Sequence, residues 1–467
     1  MKKLATIIFS SVTALVLFSC NEDDVTNSNS KEEPPVTTDI VIEDKIPEVY
    51  INTNGAEIVD EPKINATMTI LLDGEENYDG NIGIEIRGSS SQFFPKKQFG
   101  FETRDASNED LDVSLLDFPE EEDWIINAPY SDKSLMRNKL IYDLSNDIGR
   151  YASRAKFVDV FINDSYNGVY VLLEKLKRDD NRIDISKLNE DENDGEDLTG
   201  GYILKIDKAG GSDETLYNDT NSITSQYVPN NAGSNQQIHF LYDTPDEEDI
   251  TTEQRTYISN YMASFENALS SDDFTNPDTG YSAYIDTPSF IEFFLLNELS
   301  NNVDGYRLST WLVKDKNEKL KMGPIWDFNL AFGNADYCDG GETNVWAYKF
   351  NERCPGDFWL TPFWWERLLQ DPAFVNQLKQ RWEELRQNQF SITTILQKIN
   401  TYEATLNAAN SITRNFEKWP IFDEYVWPNN FVGSSYTEEK EYLTEWITDR
   451  LSSVSYTHLT LPTTPYV

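Results

Sequence analysis

Extended patterns fill the first half of this chain, and helical patterns fill most of the second half. Ile82–Arg87 alternates between apolar and other side chains, as a half-buried strand does, and Gly88–Ser91 ends the pattern with turn residues. Phe363–Arg386 instead carries an apolar stripe at helical spacing. Because strands come first and helices later, the sequence predicts an α+β fold.

Shorter patterns predict other elements. Ser134–Ile148 has helical spacing, and Tyr202–Ile206 reads as a strand that follows two glycines. Phe157–Ile162 and Tyr166–Leu173 are rich in Val, Tyr and Phe and predict a hairpin. Asp213–Asn235 is polar and predicts a loop.

The first 20 residues have the order of an export signal. Two lysines precede the apolar run Leu4–Phe18, which is short for a membrane span. Cys20 follows a small residue, and this order resembles a bacterial lipoprotein signal. The resemblance implies that residues 1–20 are the signal peptide and that Cys20 becomes the acylated N-terminus. An ordinary secretory signal with a chance cysteine is the alternative.

The segment after the signal is polar and acidic. Asn21–Asp24 looks like the surface-export signals of Bacteroidota lipoproteins. Residues 21–44 as a whole predict a flexible tether between a lipid anchor and a folded domain. We therefore expect a protein of the outer membrane or cell surface, held to the membrane through its lipid only.

Charge and residue usage exclude several kinds of chemistry. The formal net charge is −42 over 467 residues, so no nucleic-acid partner is expected. The chain has only 2 histidines, which disfavours serine or cysteine nucleophiles and histidine-rich zinc sites. Cys338 and Cys354 can form a disulfide in an exported chain or remain two thiols. Any catalysis must therefore use carboxylates, lysine, arginine or a bound metal.

The C-terminal tail looks foreign. Val454–Leu459 back-translates readily to a transposon end used in sequencing libraries, and Thr460–Val467 reads like the attached adaptor. We therefore predict that residues 454–467 are a sequencing artefact, without core residues, and that the folded domain spans residues 45–453.

Four segments carry a family resemblance. They are Ile86–Ser91 with Pro95–Lys97, Asp132–Asn138, Asn167–Glu174, and Asn302–Tyr306 through Pro324–Asn329. In order and spacing they resemble the CotH kinase family, the spore coat protein H-like proteins, from about Pro47 to about Arg386. The resemblance implies an atypical protein-kinase-like fold, with a strand-rich N-terminal part and a helical C-terminal part.

The same resemblance implies a phosphotransferase that uses ATP and Mg²⁺ or Mn²⁺ to phosphorylate serine or threonine of exported or surface proteins. Asp304 matches the catalytic aspartate, which orients the acceptor hydroxyl and takes its proton. Asp327 matches the metal-binding aspartate of the Trp-Asp-Phe segment. Asn329 is a further possible metal ligand.

The resemblance also needs a lysine on the phosphates. Lys97 is the first choice and Lys96 the alternate, while Arg87 and Arg137 are further cations for the nucleotide. Glu174 is expected to pair with the lysine and hold it in place.

Two features depart from the kinase pattern. Ser309 occupies the position where kinases place an asparagine on the second metal, and Asn302 or Asn329 would have to replace it. The glycine-rich phosphate lid is absent. Taken alone, Asp304–Gly305 is ordinary turn chemistry, and Asp327 could cap a helix or turn.

Two other functions therefore stay open. One is a non-catalytic surface module that binds glycan or protein partners. The other is a carboxylate-pair glycosidase, which needs no histidine, although no segment indicates one.

Overall fold

The computed structural model describes residues 45–210, 216–233 and 236–459, with side chains through residue 454. All of these residues fall within one compact unit. The predicted signal peptide, the lipidation site Cys20 and the tether at 21–44 lie outside the described residues.

The described residues form twelve strands and nine α-helices. The strands are β1 (Glu48–Asn52), β2 (Ile64–Leu72), β3 (Glu75–Ile86), β4 (Phe99–Arg104), β5 (Asp123–Asn127), β6 (Ala155–Ile162), β7 (Ser165–Glu174), β8 (Tyr202–Ile206), β9 (Ser222–Thr224), β10 (His239–Thr244), β11 (Thr310–Lys314) and β12 (Lys321–Met322). The helices are α1 (Arg137–Asp147), α2 (Thr252–Ser270), α3 (Thr287–Ser300), α4 (Phe350–Arg353), α5 (Trp364–Leu368), α6 (Pro372–Gln387), α7 (Ile392–Ala408), α8 (Ser411–Lys418) and α9 (Tyr436–Leu459). The α+β prediction is confirmed.

The N-terminal strands close into a barrel. Their order is β1-β2-β3-β4-β5-β7-β6, and β1 pairs in parallel with β6 to complete the ring. The other neighbours are antiparallel, and the β6–β7 hairpin turns at Asn163 and Asp164, both at positive φ. Two such residues are typical of a tight hairpin turn. The hairpin predicted from the Val, Tyr and Phe pattern is therefore present.

A second sheet lies among the helices, with the strand order β12-β11-β8-β10-β9. β8 is its central strand and pairs antiparallel with β10 on one side and β11 on the other. The region predicted as a loop over 213–235 contains the short strand β9, because Ser222–Thr224 pairs antiparallel with β10 and forms one edge of the sheet. That prediction is wrong for these three residues.

Helix boundaries follow capping chemistry. Thr251 and Gln254 form a reciprocal capping box at the start of α2. α3 begins after Asp286, whose side chain accepts from the Ser289 amide at 2.9 Å, and ends at Asn301 with φ of 44°. The predicted single helix over 363–386 is two helices, since Pro372 starts a new one.

The described residues contain two main apolar cores. One fills the barrel, and the larger one joins the barrel's outer face, the second sheet and the helices. Val454 is buried in the larger core, so the prediction that residues 454–467 hold no core residue is wrong for Val454. Within the part of the chain that the structure describes, no helix is both long and apolar enough to cross a membrane.

Cys338 and Cys354 form a disulfide, with 5.4 Å between their Cα atoms. This outcome decides between the two alternatives that the sequence left open.

Candidate active site

A cleft of about 360 Å³ opens between the barrel and the second sheet. Its walls come from the loop after β3, the start of α1, the ends of β8 and β10, the segments after α3 and β12, and Trp427 and Pro428 near the C-terminus. Gly88 turns the loop after β3 at φ of 99°, where a Cβ atom would come within 2.1 Å of the Ser91 Oγ. The cleft thus gathers segments that are far apart in sequence.

Asp304 lies in the loop that follows α3. Its backbone amide donates to Asn302 Oδ1 at 3.2 Å, and its Oδ1 accepts from Arg307 Nη2 at 2.9 Å. A long hydrogen bond of 3.5 Å joins Tyr337 Oη to the same oxygen. Asn302, a possible substitute metal ligand, therefore shapes the Asp304 loop.

Asp327 lies in the segment after β12 and is held by α1. Its backbone amide donates to Tyr142 Oη at 3.1 Å, and the next amide, of Phe328, donates to Asn138 Oδ1 at 2.8 Å. Asp327 has a φ of 63°, in the left-handed region. Asn329 also lines the cleft. The structure therefore brings Asp304, Asp327 and Asn329 together.

A third carboxylate, Asp207, enters the cleft just after β8. It accepts hydrogen bonds from the backbone amides of Lys208 and Ser309. Burial raises the pKa of Asp207, and these hydrogen bonds and the charge of Lys205 oppose the shift. Asp207 therefore stands beside the position where the kinase pattern expects an asparagine.

Three cations face these acids. Arg87 lies over the Trp326 ring with its Cζ atom 5.6 Å from the centroid. Lys205 pairs with Asp243 at 3.0 Å, and Lys208 lines the same wall. Burial lowers the pKa of Arg87, whereas burial of Lys205 is outweighed by Asp243 and its pKa is raised. The raised pKa of Lys205 favours its charged form, and the Arg87 guanidinium is charged because arginine is not deprotonated in proteins.

The acids repel one another. Burial raises the pKa of Asp327 to about 7, and the negative charges of Asp304 and Asp207 add to the rise. Arg87 and Lys208 oppose the shift but do not cancel it. A divalent cation would relieve this repulsion.

The two predicted phosphate lysines do not line the cleft. Lys96 is buried against α8, where its Nζ donates to Val169 O at 2.5 Å and Asn415 Oδ1 at 2.9 Å and lies 4.7 Å from the Tyr170 ring centroid. Lys97 Nζ donates to the carbonyl of Gln92. In this conformation neither amine is aimed at the carboxylates.

Arg137 and Glu174 form ion pairs with residues other than those predicted. Arg137 is fully buried and pairs with Asp132 at 2.6 Å, which also accepts from the Arg137 backbone amide and so fixes the start of α1. Glu174 pairs with Arg154 and accepts from its backbone amide at 2.9 Å. The expected pair between Glu174 and a lysine is therefore replaced by a pair with arginine, because β7 ends beside the loop that carries Arg154.

The donor set in the cleft fits a hard divalent cation. Carboxylates and an amide are oxygen ligands of the kind that Mg²⁺ and Mn²⁺ take. Among the described residues, the one acidic triplet with oxygens within 4.8 Å of one another is Glu121–Asp123, and Lys177 and Arg182 neutralise it. A cation in the cleft would therefore bind only one or two carboxylates and complete its shell with phosphate oxygens and water.

Sequence reasoning missed Asp207, Lys205, Lys208 and Asp243. The available signal was weak: Tyr202–Ile206 was predicted as a strand, and charged residues sit in and after it. Which charges face a cleft depends on how β8 pairs with β11, and that pairing joins residues more than 100 positions apart.

The cleft combines four aspartates, three lysines and one arginine on an α+β scaffold, a set of side chains that could hold a phosphate ligand and its metal ion. The profile of the family described as CotH kinase protein matches residues 84–454. The chain therefore belongs to the CotH kinase family.

The chain is also similar to one curated protein and to a solved structure. Inner spore coat protein H of Bacillus subtilis (strain 168) is 43% identical over 51 residues, which is 11% of this chain. The match spans 14% of that protein's length. The crystal structure of the Helicobacter pylori proinflammatory kinase CtkA aligns at 10% identity over 75% of this chain and 94% of that one, with a TM-score of 0.27.

Proposed function

We propose that this protein is an atypical kinase that transfers the γ-phosphoryl group of ATP to a serine or threonine hydroxyl of another protein. Membership of the CotH kinase family supports this proposal. The observation that carries it is the meeting of Asp304, Asp327 and Asp207 with Arg87 and Lys205 in a single cleft.

Each side chain has a role that follows from its charge. Asp304 accepts the proton of the acceptor hydroxyl as that oxygen bonds to phosphorus and the bond to the leaving ADP oxygen breaks. Arg87 and Lys205 hold the phosphate oxygens in place of the predicted Lys97. Fixed positive charges that bind the equatorial oxygens more strongly as charge develops lower the barrier.

Asp327, with Asn329 or Asp207, would hold Mg²⁺ or Mn²⁺. A bound cation neutralises phosphate charge during transfer. The chain's own contribution is the anchoring of Asp327 by α1, since two hydrogen bonds fix the backbone on either side of its Cα atom.

The proposal extends to where the protein works. Lipidation at Cys20 would hold the domain at the outer membrane or cell surface through the tether at 21–44, and its acceptor would be an exported or surface protein. Mass spectrometry of the membrane-extracted protein should find an acylated Cys20 peptide. Recovery of an unmodified Met1 peptide from the mature protein would refute this part.

The first experiment measures thermal unfolding of the full-length protein with Mn²⁺, ATP, or both. Ligands that bind the folded state raise the midpoint by mass action, so ATP should add to the shift only when Mn²⁺ is present. Asp327→Asn should abolish the Mn²⁺-dependent shift. A wild-type protein that neither shifts with MnATP nor phosphorylates casein would refute the kinase proposal and leave the non-catalytic binding module in first place.

A second variant separates binding from transfer. Asp304→Asn should keep the MnATP shift but lower phosphate transfer to casein by roughly 100-fold or more, because it removes a proton acceptor and little ground-state affinity. If Asp304→Asn fails to fold, its role is structural and the assignment is wrong.

A third comparison assigns the phosphate cation. Arg87→Ala should weaken ATP binding in calorimetric titrations with Mn²⁺, whereas Lys97→Ala should leave it nearly unchanged. The reverse result would restore Lys97 as the phosphate-contacting residue.

A further inference from the structure

Arg307 is buried beside Asp304 and has four hydrogen-bond acceptors. Besides Asp304, its guanidinium donates to Asp357 Oδ1 at 3.1 Å, Val303 O at 2.8 Å and Trp359 O at 3.2 Å. Its Cζ atom lies 3.9 Å from the ring centroid of Phe350. The side chain is 3% exposed, so it has one fixed position. A guanidinium held this way fixes the Asp304 carboxylate in turn.

The two contacts on Asp304 reach the same oxygen. Arg307 Nη2 and Tyr337 Oη both donate to Oδ1, and among the described residues no hydrogen bond reaches Oδ2. The carboxylate is therefore oriented through one oxygen while the other remains available to an incoming hydroxyl.

The partners of Asp304 flank the disulfide in sequence. Tyr337 immediately precedes Cys338. Asp357, which holds Arg307, follows Cys354 by three residues, and its backbone amide donates to the Cys354 carbonyl at 3.0 Å. The Cys338–Cys354 bond thus joins the segment that contacts Asp304 directly to the segment that contacts it through Arg307.

We propose that Arg307 is a positioning residue for Asp304 and that the Cys338–Cys354 disulfide maintains this arrangement during phosphoryl transfer. The inference rests on the proposed kinase function and deepens it. Neither Arg307 nor the disulfide lines the cleft, so both should act on the transfer step and not on nucleotide affinity.

The kinetic test uses the full-length protein with MnATP and casein. Arg307→Lys keeps the charge but loses the planar fork that reaches two carboxylates at once. We expect kcat to fall by about 10- to 100-fold, as small misplacements of a reacting group do. The KM for ATP and the MnATP shift of the unfolding midpoint should stay within about twofold of wild type, because the phosphate site is untouched.

The disulfide is tested by the paired substitution Cys338→Ser and Cys354→Ser. It should lower kcat in the same way. When it is combined with Arg307→Lys, the fold-loss of kcat should be smaller than the product of the two separate fold-losses, because both act through the Asp304 carboxylate. The matched control is Arg381→Lys, which alters an ion pair with Glu292 on α3 away from the cleft and should leave kcat unchanged.

Two outcomes would overturn the inference. One is an unchanged kcat in Arg307→Lys or in the paired serine variant. The other is a kcat loss accompanied by loss of the MnATP shift, which would indicate general disruption of the fold.

A second readout does not need catalysis. The carboxyl carbon resonance of Asp304, assigned through Asp304→Asn in isotope-labelled protein, should move in Arg307→Lys and in the paired serine variant but not in Arg381→Lys. If wild type transfers no phosphate, the proposed function fails, and this resonance still decides whether Arg307 and the disulfide position Asp304. An unmoved resonance would refute that positioning.

Discussion

At the scale of single residues, burial decides which charged groups act in the cleft and which hold the fold. Lys96 and Arg137 fall in the family-like segments, yet both are buried with partners of their own. Arg87 is only half-buried and faces the cleft. A sequence motif identifies which segment contributes to the site, whereas the direction of each side chain depends on the residues that pack around it.

Glu266 should make stability depend on pH. It is buried on α2, where it accepts from Ser225 Oγ at 2.8 Å and from Trp364 Nε1 at 2.9 Å, and burial raises its pKa from 4.5 to about 7. The folded state therefore binds the proton more tightly than the unfolded state. The stabilisation is full below about pH 4.5 and is lost as the pH rises through about 7.

Glu266→Gln should remove this dependence, which amounts to roughly 3 kcal/mol over that range. Urea unfolding between these pH values measures the effect. The control is Glu253→Gln, an exposed change on the same helix. An unchanged pH slope in Glu266→Gln would contradict the assignment.

At the scale of elements, α1 connects the barrel to the candidate metal ligand. Its Tyr142 side chain stacks on Trp326 at 5.7 Å between centroids and accepts the Asp327 amide. The Asp132 carboxylate accepts hydrogen bonds from the backbone amides of Ser134 and Arg137 and so fixes the start of the helix. A change in α1 should therefore alter the position of Asp327.

Tyr142→Phe tests this link. The ring and its stacking remain, but the Asp327 amide loses its acceptor, which should cost about 1 kcal/mol of unfolding free energy. The rise in the unfolding midpoint caused by MnATP should also become smaller, and by more than this loss of unfolding free energy accounts for. Tyr402→Phe, which removes a hydroxyl bonded to Asp143, the next residue along α1, is the control and should leave the shift intact.

At the scale of the whole molecule, the C-terminal helix α9 supports the loop that carries Asp304. Arg450 is fully buried, and its Nε donates to the carbonyl of Glu298 at the end of α3 at 2.8 Å. The Glu298 carboxylate in turn accepts from Tyr306 Oη at 3.0 Å, two residues beyond Asp304. The last helix and the candidate active site are therefore one structural unit.

Arg450→Met should lower the free energy of unfolding by about 3–5 kcal/mol, because it leaves the buried Glu298 carboxylate without its cation. Lys440→Met, on the same helix, removes a half-buried pair with Glu403 and should cost less than about 1 kcal/mol. Urea unfolding compares the two. Equal losses would show that α9 contributes no specific support to the loop.

Truncation separates the helix from the suspected artefact. A chain ending at Val454 should unfold at the same temperature as the full-length protein, whereas one ending before Arg450 should be strongly destabilised. Amplifying the locus from source DNA decides the origin of residues 454–467, and the same codons there would refute the artefact prediction.

The sequence by itself determined the fold class, several of the strands and helices and, through the family resemblance, the segments that carry Asp304 and Asp327. The fold class and these elements rest on local periodicity and turn residues, and the Asp304 and Asp327 segments rest on resemblance to the CotH kinase family; neither needs knowledge of distant contacts.

Only the tertiary structure decided which charges share a site. Asp207 and Lys205 enter the cleft because β8 pairs with β11, and Lys96 leaves it because α8 packs on β7. The sequence also gave no sign that Arg450 supports the Asp304 loop. Long-range strand pairing and helix packing set these positions, and local sequence pattern carries little information about either.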